Sequence, residues 1–201
     1  MNAEKKSSKV ILMGIIGAVL LMLLAGFVVE KAEESRSELP VYKGVPDFTF
    51  TECRGDSFGS GDMKGNICVV DFIFTRCQSI CPRMADKYTH LYELYEDYPD
   101  VKLVSISVDP VYDTPEVLWN YALSFDVTDD RWVLLNGPLD EVINLCENGF
   151  MLPADNLPMG HSAKFVLVDR GGKIRGYYNS QDWDSVEILK THIRQLYKVS
   201  S

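Results

Sequence analysis

The longest apolar run of the chain lies near its N-terminus. Twenty residues without a charge extend from Val10 to Val29, enough to cross the roughly 30 Å hydrocarbon core of a bilayer as a helix. Lysines at positions 5, 6 and 9 precede the run, so the positive-inside tendency places residues 1–9 in the cytoplasm and the following chain on the outer face. A cleaved signal peptide is the alternative, but the run is long and no clean A-x-A site follows it. The pattern predicts a retained single-pass transmembrane anchor over residues 10–29.

The stretch that follows the apolar run, residues 30–40, is charged and lacks periodicity, which is typical of a tether. We expect a folded domain over residues 41–201. Polar and apolar positions alternate in Asp47–Thr51, and glycines at 55, 59 and 61 mark turns. These features predict a short hairpin ahead of the main sheet.

The rest of the domain alternates β-type and helical patterns. The β-type runs are Ile67–Thr75, Val101–Val108, Trp132–Leu135, Lys164–Val168 and Lys173–Tyr178. Helical spacing covers the segments Pro82 to Pro99, Thr114 to Phe125, Leu139 to Cys146, and Trp183 to Val199. The order β-α-β-α-β-α-β-β-α predicts a three-layer α/β sandwich, and its closing hairpin and helix fit a thioredoxin-like architecture.

The charge of the chain narrows the class of partner. The formal net charge of the 201 residues is −9, and because residues 1–29 contribute +2, the remainder carries −11. A domain this acidic lacks the basic surface that nucleic-acid binding requires. We therefore expect no nucleic-acid partner.

Two cysteines stand where the first long strand gives way to a helix. Cys77 and Cys81 are separated by three residues and lie between the run ending at Thr75 and the helix that opens with Pro82. Unsatisfied N–H groups and the positive end of the helix dipole favour a thiolate at such a position. A C-x-x-x-C pair alone is a weak signal, but in this context it indicates a thiol site for redox exchange or for a soft metal. In a thioredoxin-like fold the active site lies here, at the carboxyl end of a central strand.

A third ligand is needed to close a metal site around the two thiols. His161 precedes the strand Lys164–Val168, a position that faces the cysteine loop in a thioredoxin-like fold. Two thiolates and one imidazole suit Cu(I) and can also hold Cu(II), and Zn²⁺ would accept the same set with a fourth ligand. The candidate metal ligands are therefore Cys77, Cys81 and His161.

The remaining chemistry-bearing residues receive structural interpretations. Cys68 and Cys146 lie in apolar runs and are expected in the core, whereas Cys53 sits among polar turn residues and is a candidate for an exposed, additional thiol. His90 and His192 are expected to be structural, and Met63, Met151 and Met159 are expected to pack rather than to lend soft sulfur to a metal. Thr75 and Arg76 are expected either to set the loop geometry or, through the charge of Arg76, to lower a thiol pKa.

Three ordered motifs resemble the SCO/SenC family. They are Phe72–Pro82, then Ser105–Pro110 followed by Asp113–Glu116, and finally Gly160–Ser162 ahead of Phe165–Asp169. The resemblance spans about Val45 to Tyr197. It implies a membrane-tethered thioredoxin-like domain that binds one copper ion through the two cysteines and the histidine. It also implies a partner, cytochrome c oxidase subunit II, whose binuclear copper centre such proteins help to load, and a domain on the periplasmic or intermembrane-space-like face.

The chain departs from this family in places, and it lacks both of the acids that the family usually has near the metal. The family usually reads T-H-C-P-D-I-C-P and D-H-S, whereas here Ser79 replaces the acid between the cysteines and Gly160 replaces the acid before the histidine. The three core ligands are retained, and so is Asp109 of the Val-Asp-Pro motif, which we interpret first as a turn residue. The losses put Cu(II) binding in doubt more than Cu(I) binding.

Other functions fit the cysteine pair less well. In a thiol-disulfide oxidoreductase Cys77 would attack and Cys81 would resolve the mixed disulfide, but three intervening residues argue against fast general exchange. Some members of the family reduce the target cysteines in this way. A peroxiredoxin-type site would need a proline and a threonine where the chain has Val70 and Phe74. A structural zinc site lacks an evident fourth ligand.

Overall fold

The computed structural model describes residues 16, 17, 19–27 and 39–199, and the chain divides into two compact units, residues 1–38 and 39–201. In the first unit the described residues are helical and their side chains are exposed. No helix among the described residues is both long enough and apolar enough to span a bilayer. Residues 1–15, 18 and 28–38 lie outside the described residues, so the anchor over 10–29 and most of the tether remain predictions.

The second unit contains the strands and helices that the sequence patterns indicate. The strands are β1 Thr49–Glu52, β2 Ser57–Gly59, β3 Ile67–Ile73, β4 Val101–Ser107, β5 Trp132–Asn136, β6 Lys164–Val168 and β7 Ile174–Asn179. The helices are α1 Ser60–Met63, α2 Cys81–Leu94, α3 Pro115–Leu123, α4 Leu139–Asn144 and α5 Trp183–Val199, with a π-helical turn over Leu145–Gly149.

Within residues 39–199 seven strands form one mixed sheet in the order β2-β1-β5-β4-β3-β6-β7. Strands β3, β4 and β5 are parallel, whereas β6 pairs antiparallel with β3, and β7 with β6. The predicted hairpin is β1–β2, and β1 joins the sheet by antiparallel pairing with β5. After β5 the chain returns to pair β6 with β3. Because this pairing is antiparallel, the end of β3 lies next to the start of β6.

Both faces of the sheet are covered, as the apolar run of β3 requires. Every residue of β3 is buried. On one face the Phe72 ring meets Phe150, with centroids 5.6 Å apart. On the other face Tyr88 of α2 meets Phe165 of β6 at 4.8 Å, and its hydroxyl donates to the backbone oxygen of Val69 over 2.8 Å. The mixed α/β sandwich is therefore confirmed.

Several element ends differ from the sequence patterns. Helix α2 ends at Leu94 rather than near Pro99, and Tyr95 and Tyr98 beyond it form an edge-to-face ring pair at 5.7 Å. The predicted helix over Leu139–Cys146 becomes α4 and then the π-helical turn. Apolar periodicity persists past both helix ends because Tyr95, Leu145 and Cys146 are still buried there, whereas Tyr98 is 38% exposed.

Candidate metal centre

The cysteine pair lies on the loop between β3 and α2, as expected. Cys77 belongs to the loop, and Cys81 is the first residue of α2, directly before Pro82. The backbone N–H of Cys81 donates to the Sγ atom of Cys77 over 3.4 Å. An N–H in the first turn of a helix has no partner within the helix, so the sulfur of Cys77 satisfies one of these donors and lies against the helix N-terminus.

His161 reaches the thiols through the antiparallel pairing of β6 with β3. Val70 is opposite Val166 in this pairing, so the residues that precede β6 run alongside the residues that follow β3. The Nε2 atom of His161 lies 3.3 Å from the Sγ atom of Cys81. One ligand atom from each of Cys77, Cys81 and His161 lies within 4.8 Å of the others. The structure thus brings together the three predicted ligands.

The three side chains are buried to different degrees. Cys77 is 8% exposed, Cys81 2% and His161 6%. The imidazole packs edge-on against the Phe74 ring, with centroids 5.4 Å apart and planes at 88°. The buried Nδ1 atom of His161 has no hydrogen-bond partner among the described residues. All three side chains are therefore largely shielded from solvent, and Cys81 most of all.

Burial and hydrogen bonding make the two thiols unequal. Burial opposes ionisation of Cys77, but N–H groups of Cys81 and Ser79, together with both side chains, outweigh it and bring the pKa of Cys77 down to about 7. For Cys81 burial is the largest cause, and together with the neighbouring Cys77 thiol it raises the pKa well above the ordinary value. Burial also lowers the pKa of His161, which keeps the imidazole neutral. A thiolate and a neutral imidazole are the protonation states that metal ligation requires.

The chemistry of the donor set selects a soft ion. Two cysteine sulfurs and the Nε2 atom of an imidazole converge, and the buried Nδ1 atom of the same ring has no hydrogen-bond partner among the described residues. Thiolates select Cu(I) or Zn²⁺, and a neutral imidazole suits both. The described residues supply no fourth His, Cys, Asp or Glu to this group, which favours a three-coordinate ion such as Cu(I) over tetrahedral zinc.

Arg76 contacts residues of the segment between β4 and α3. Its Nη2 atom pairs with Asp109 at 2.5 Å, and its guanidinium lies 4.1 Å from the centre of the Tyr112 ring. The hydrogen bonds described above account for the lowered pKa of Cys77, and Arg76 is absent from their donors. The first of the two roles considered for Arg76, loop geometry, is the one that these contacts favour. Asp109 is accordingly its ion-pair partner.

Asp113 was not singled out by sequence reasoning. Its carboxylate is fully buried and accepts a hydrogen bond from the backbone N–H of Thr75 over 3.1 Å. The only sequence signal was its place in the motif Asp113–Glu116, where it reads as part of a helix start.

The two positions where family acids are replaced have distinct surroundings. The Ser79 hydroxyl lies 3.6 Å from the Sγ atom of Cys77. Gly160 packs so closely on the loop before it that a Cβ atom there would lie 1.9 Å from the backbone oxygen of Asp155. An aspartate at position 160 is therefore incompatible with this loop conformation.

The other three cysteines are buried and unpaired. Burial is the largest cause that raises the pKa of Cys53, Cys68 and Cys146 to about 12 in each case. The interpretation of Cys53 as a candidate exposed thiol is wrong: it is 6% exposed, and its thiol donates to Glu52 over 3.1 Å. All five cysteines are free thiols, which accounts for their odd number.

The remaining histidines make hydrogen bonds elsewhere among the described residues. His192 accepts or donates a hydrogen bond with the Tyr178 hydroxyl at 2.7 Å, and His90 lies 3.4 Å from the Lys190 amine. Met63 is buried as expected. The expectation that Met151 and Met159 pack is wrong, since they are 46% and 75% exposed.

The sequence matches one family of known proteins, both through a family model and through an individual relative. A sequence model described as SCO1/SenC matches residues 37–198. The SCO1 protein homolog of Bacillus subtilis is 32% identical over 146 residues, which cover 70% of this chain and 76% of that protein.

Solved structures agree with that match. The structure of BsSco, described as a member of the Sco family of cytochrome c oxidase assembly proteins with a disulfide switch, aligns with a TM-score of 0.67 and 29% identity over 78% of this chain and 96% of its own. Copper-bound yeast Sco1 aligns with a TM-score of 0.61 over 76% and 90% of the two chains; at 23% identity it is evidence for the fold alone. That fold is the thioredoxin-like one expected from the order of elements.

Proposed function

The chain belongs to the SCO1/SenC family, and we propose that it is a copper-binding metallochaperone that carries one copper ion on Cys77, Cys81 and His161 for the assembly of cytochrome c oxidase. The convergence of these three ligand atoms within 4.8 Å is the observation that carries the proposal. Supporting it, BsSco is described as a member of a family of cytochrome c oxidase assembly proteins.

Copper moves by ligand exchange, without a change in covalent bonds of the protein. The incoming ion replaces the proton of each thiol and binds the neutral imidazole, since metal affinity requires deprotonated ligands. Cys77 is the most exposed of the three ligands, so a thiolate of the acceptor approaches from its side. Oxidation of Cys77 and Cys81 to a disulfide removes two ligands and releases the ion.

The acceptor that fits this chemistry is the binuclear copper centre of cytochrome c oxidase subunit II. The apolar run over residues 10–29 and the lysines before it support a membrane anchor with the second unit on the outer face. Protease treatment of intact cells or spheroplasts tests this arrangement. Residues 39–199 should be digested from the outer side only, and protection in spheroplasts would contradict the orientation.

The experiment for the central proposal is metal analysis of the full chain purified under reducing conditions with added Cu(I). We expect one copper ion per chain in the wild type and in Cys53→Ser, which changes a cysteine outside the site. Cys77→Ser should lose the ion. Equal copper content in Cys77→Ser and Cys53→Ser would overturn the proposal.

The unequal thiols favour a second candidate function, reduction of the target cysteines. The Cys77 thiolate, with its pKa near 7, attacks a target disulfide, forming a mixed disulfide and releasing one target thiolate. The Cys81 thiolate then displaces the second target thiolate, which leaves the target reduced and the Cys77–Cys81 pair oxidised. Reduction of a disulfide substrate by the copper-free wild type and by Cys53→Ser, but not by Cys77→Ser or Cys81→Ser, would support this function.

A further inference from the structure

The thiol loop is tied to the neighbouring strand connection by a carboxylate with no exposed surface. Asp113 is 0% exposed and lies in the segment between β4 and α3. Its Oδ2 atom accepts from the Ser107 hydroxyl over 2.6 Å and from the Thr75 N–H over 3.1 Å, and its Oδ1 atom accepts from the Thr75 hydroxyl over 2.5 Å. A buried carboxylate is costly unless such donors satisfy it, so these contacts form a set whose geometry is strongly specified.

Two of the three donors come from Thr75, two residues before Cys77. The parallel pairing of β3 with β4 ends at Ile73, whose backbone oxygen accepts from the N–H of Val108, directly after β4, over 2.8 Å. Past that point Thr75 leaves the sheet, and its N–H needs a new acceptor because a part-buried backbone donor is rarely left unpaired. Asp113 supplies that acceptor and so fixes where the thiol loop departs from the strand.

A second contact joins the same two loops at the surface. Arg76 pairs with Asp109 and stacks on Tyr112. The Arg76 side chain is 53% exposed, and exposed ion pairs contribute about 0–1 kcal/mol. The contact between Thr75 and the fully buried carboxylate of Asp113 is the one expected to hold the loop.

We propose that Asp113 is a positioning residue of the metal site. Through Thr75 it holds the loop that carries Cys77 and Cys81 within reach of His161 before an ion arrives, so that less conformational freedom is lost when copper binds. The inference rests on the proposed copper-binding function and deepens it. Asp113 does not touch the ion.

The test measures Cu(I) affinity of the full chain by competition with a colorimetric Cu(I) chelator. Partners that orient metal ligands typically contribute about 10- to 100-fold in affinity, and we expect a loss in that range for Asp113→Asn and for Thr75→Val. Thr75→Ser, which keeps the hydroxyl, should restore affinity to within a few-fold of the wild type. Thr75→Val keeps the test available if Asp113→Asn does not fold.

Ser105→Ala is the matched control. It removes another buried hydrogen bond between a serine and an aspartate, the 2.7 Å contact of Ser105 with Asp71, from the same strand as Ser107. It should lower the melting temperature and leave Cu(I) affinity unchanged. Folded Thr75→Val and Asp113→Asn that bind Cu(I) as tightly as Ser105→Ala would overturn the positioning role.

A measurement without metal separates this inference from the proposed function. In the copper-free protein, the equilibrium between the Cys77–Cys81 dithiol and oxidised glutathione reports how well the two thiols are held together. We expect Thr75→Val to disfavour the protein disulfide by about tenfold or more, and no change would contradict the positioning role. A wild type that takes up no Cu(I) contradicts the proposed function, and this equilibrium then decides the role of Asp113 by itself.

Discussion

The Sγ atom of Cys81 lies 3.3 Å from the Nε2 atom of His161, although eighty positions separate them in the chain. Cys81 begins α2, and His161 precedes β6. Since β6 runs antiparallel beside β3, the entry to one strand and the exit from the other share an edge of the sheet. The metal centre is therefore a consequence of strand order.

Replacement of His161 should weaken copper binding without unfolding the protein. His161→Ala removes one of three ligands from the group, and we expect a loss in Cu(I) affinity of about 100-fold or more, since losing an outer-shell partner alone costs 10- to 100-fold. His90→Ala, a change to a histidine on α2, is the control and should bind as the wild type does. Equal affinity of the two variants would remove His161 from the site.

Alkylation of Cys77 in the copper-free, reduced protein should depend on pH with a midpoint near 7. The lowered pKa means that the thiolate is populated from about pH 7 upward, below the ordinary range of a thiol. Iodoacetamide followed by peptide mass spectrometry measures the rate at each cysteine. Cys81, whose pKa is raised by burial, should react far more slowly at pH 8.

Ser79→Ala tests the cause of the lowered pKa. The Ser79 hydroxyl lies 3.6 Å from the Cys77 sulfur, and as a donor it favours the thiolate. Its removal should move the alkylation midpoint of Cys77 upward. An unchanged midpoint would contradict this role of the hydroxyl and would assign the lowered pKa of Cys77 to the backbone N–H groups of Cys81 and Ser79 and to the Cys81 side chain.

A side chain at position 160 should destabilise the loop that carries His161. A Cβ atom there would lie 1.9 Å from the backbone oxygen of Asp155, so the loop must shift, at a cost of about 1–3 kcal/mol. We expect Gly160→Ala to lower the free energy of unfolding by that amount and to weaken Cu(I) binding. Gly160→Asp, which restores the usual family residue, should behave likewise rather than add a ligand.

Gly61→Ala provides the control for the glycine prediction. A Cβ atom at position 61 would meet nothing within 4 Å, so its effect should stay within about 0.5 kcal/mol. Denaturant unfolding of the variants measures the difference. If Gly160→Ala were as stable as Gly61→Ala, the conformation of residues 155–160 described here would be wrong.

Asp71 should make stability fall as pH rises toward neutrality. Burial is the main cause that raises the pKa of Asp71 to about 7, although Ser105 donates to it. The folded state then binds more protons than the unfolded state between pH 4 and 7, so the unfolding free energy loses up to about 1.4 kcal/mol per pH unit from this group.

Asp71→Asn should remove that slope, whatever it does to absolute stability. Denaturant unfolding at pH 4, 5.5 and 7 measures it. Asp130→Asn serves as the control: the amine of Lys102 lowers the pKa of Asp130, so this carboxylate is ionised in both the folded and the unfolded state over most of this pH range, and its replacement should leave the slope unchanged. A slope unchanged by Asp71→Asn would contradict the assignment.

Periodicity and order were enough to predict the fold and the three candidate ligands. The buried run of β3, the cysteine pair at its end and a histidine just before β6 are local patterns, and strand order then brings them together. The end of α2 could not be read from periodicity, because apolar side chains continue to pack in the core after the helix stops.

Contacts between distant residues left no local pattern. The hydrogen bonds between Asp113 and Thr75 join positions 38 apart, and an aspartate before a helix reads equally well as a turn residue. Cys53 is flanked by Glu52 and Arg54, which suggested exposure, yet those two side chains pair with each other beside its buried thiol. Hydrogen bonds to residues distant in sequence fix the positions of both: Asp113 accepts from Thr75, and the backbone N–H of Cys53 donates to the backbone oxygen of Leu134 over 2.9 Å.

The most direct test of the copper site is X-ray absorption at the copper edge of the Cu(I)-loaded, reduced full chain. The account predicts a three-coordinate ion with two sulfur neighbours and one imidazole nitrogen, and loss of the imidazole signal in His161→Ala. A spectrum that contains sulfur ligands only, or one that is identical in the wild type and His161→Ala, would contradict it.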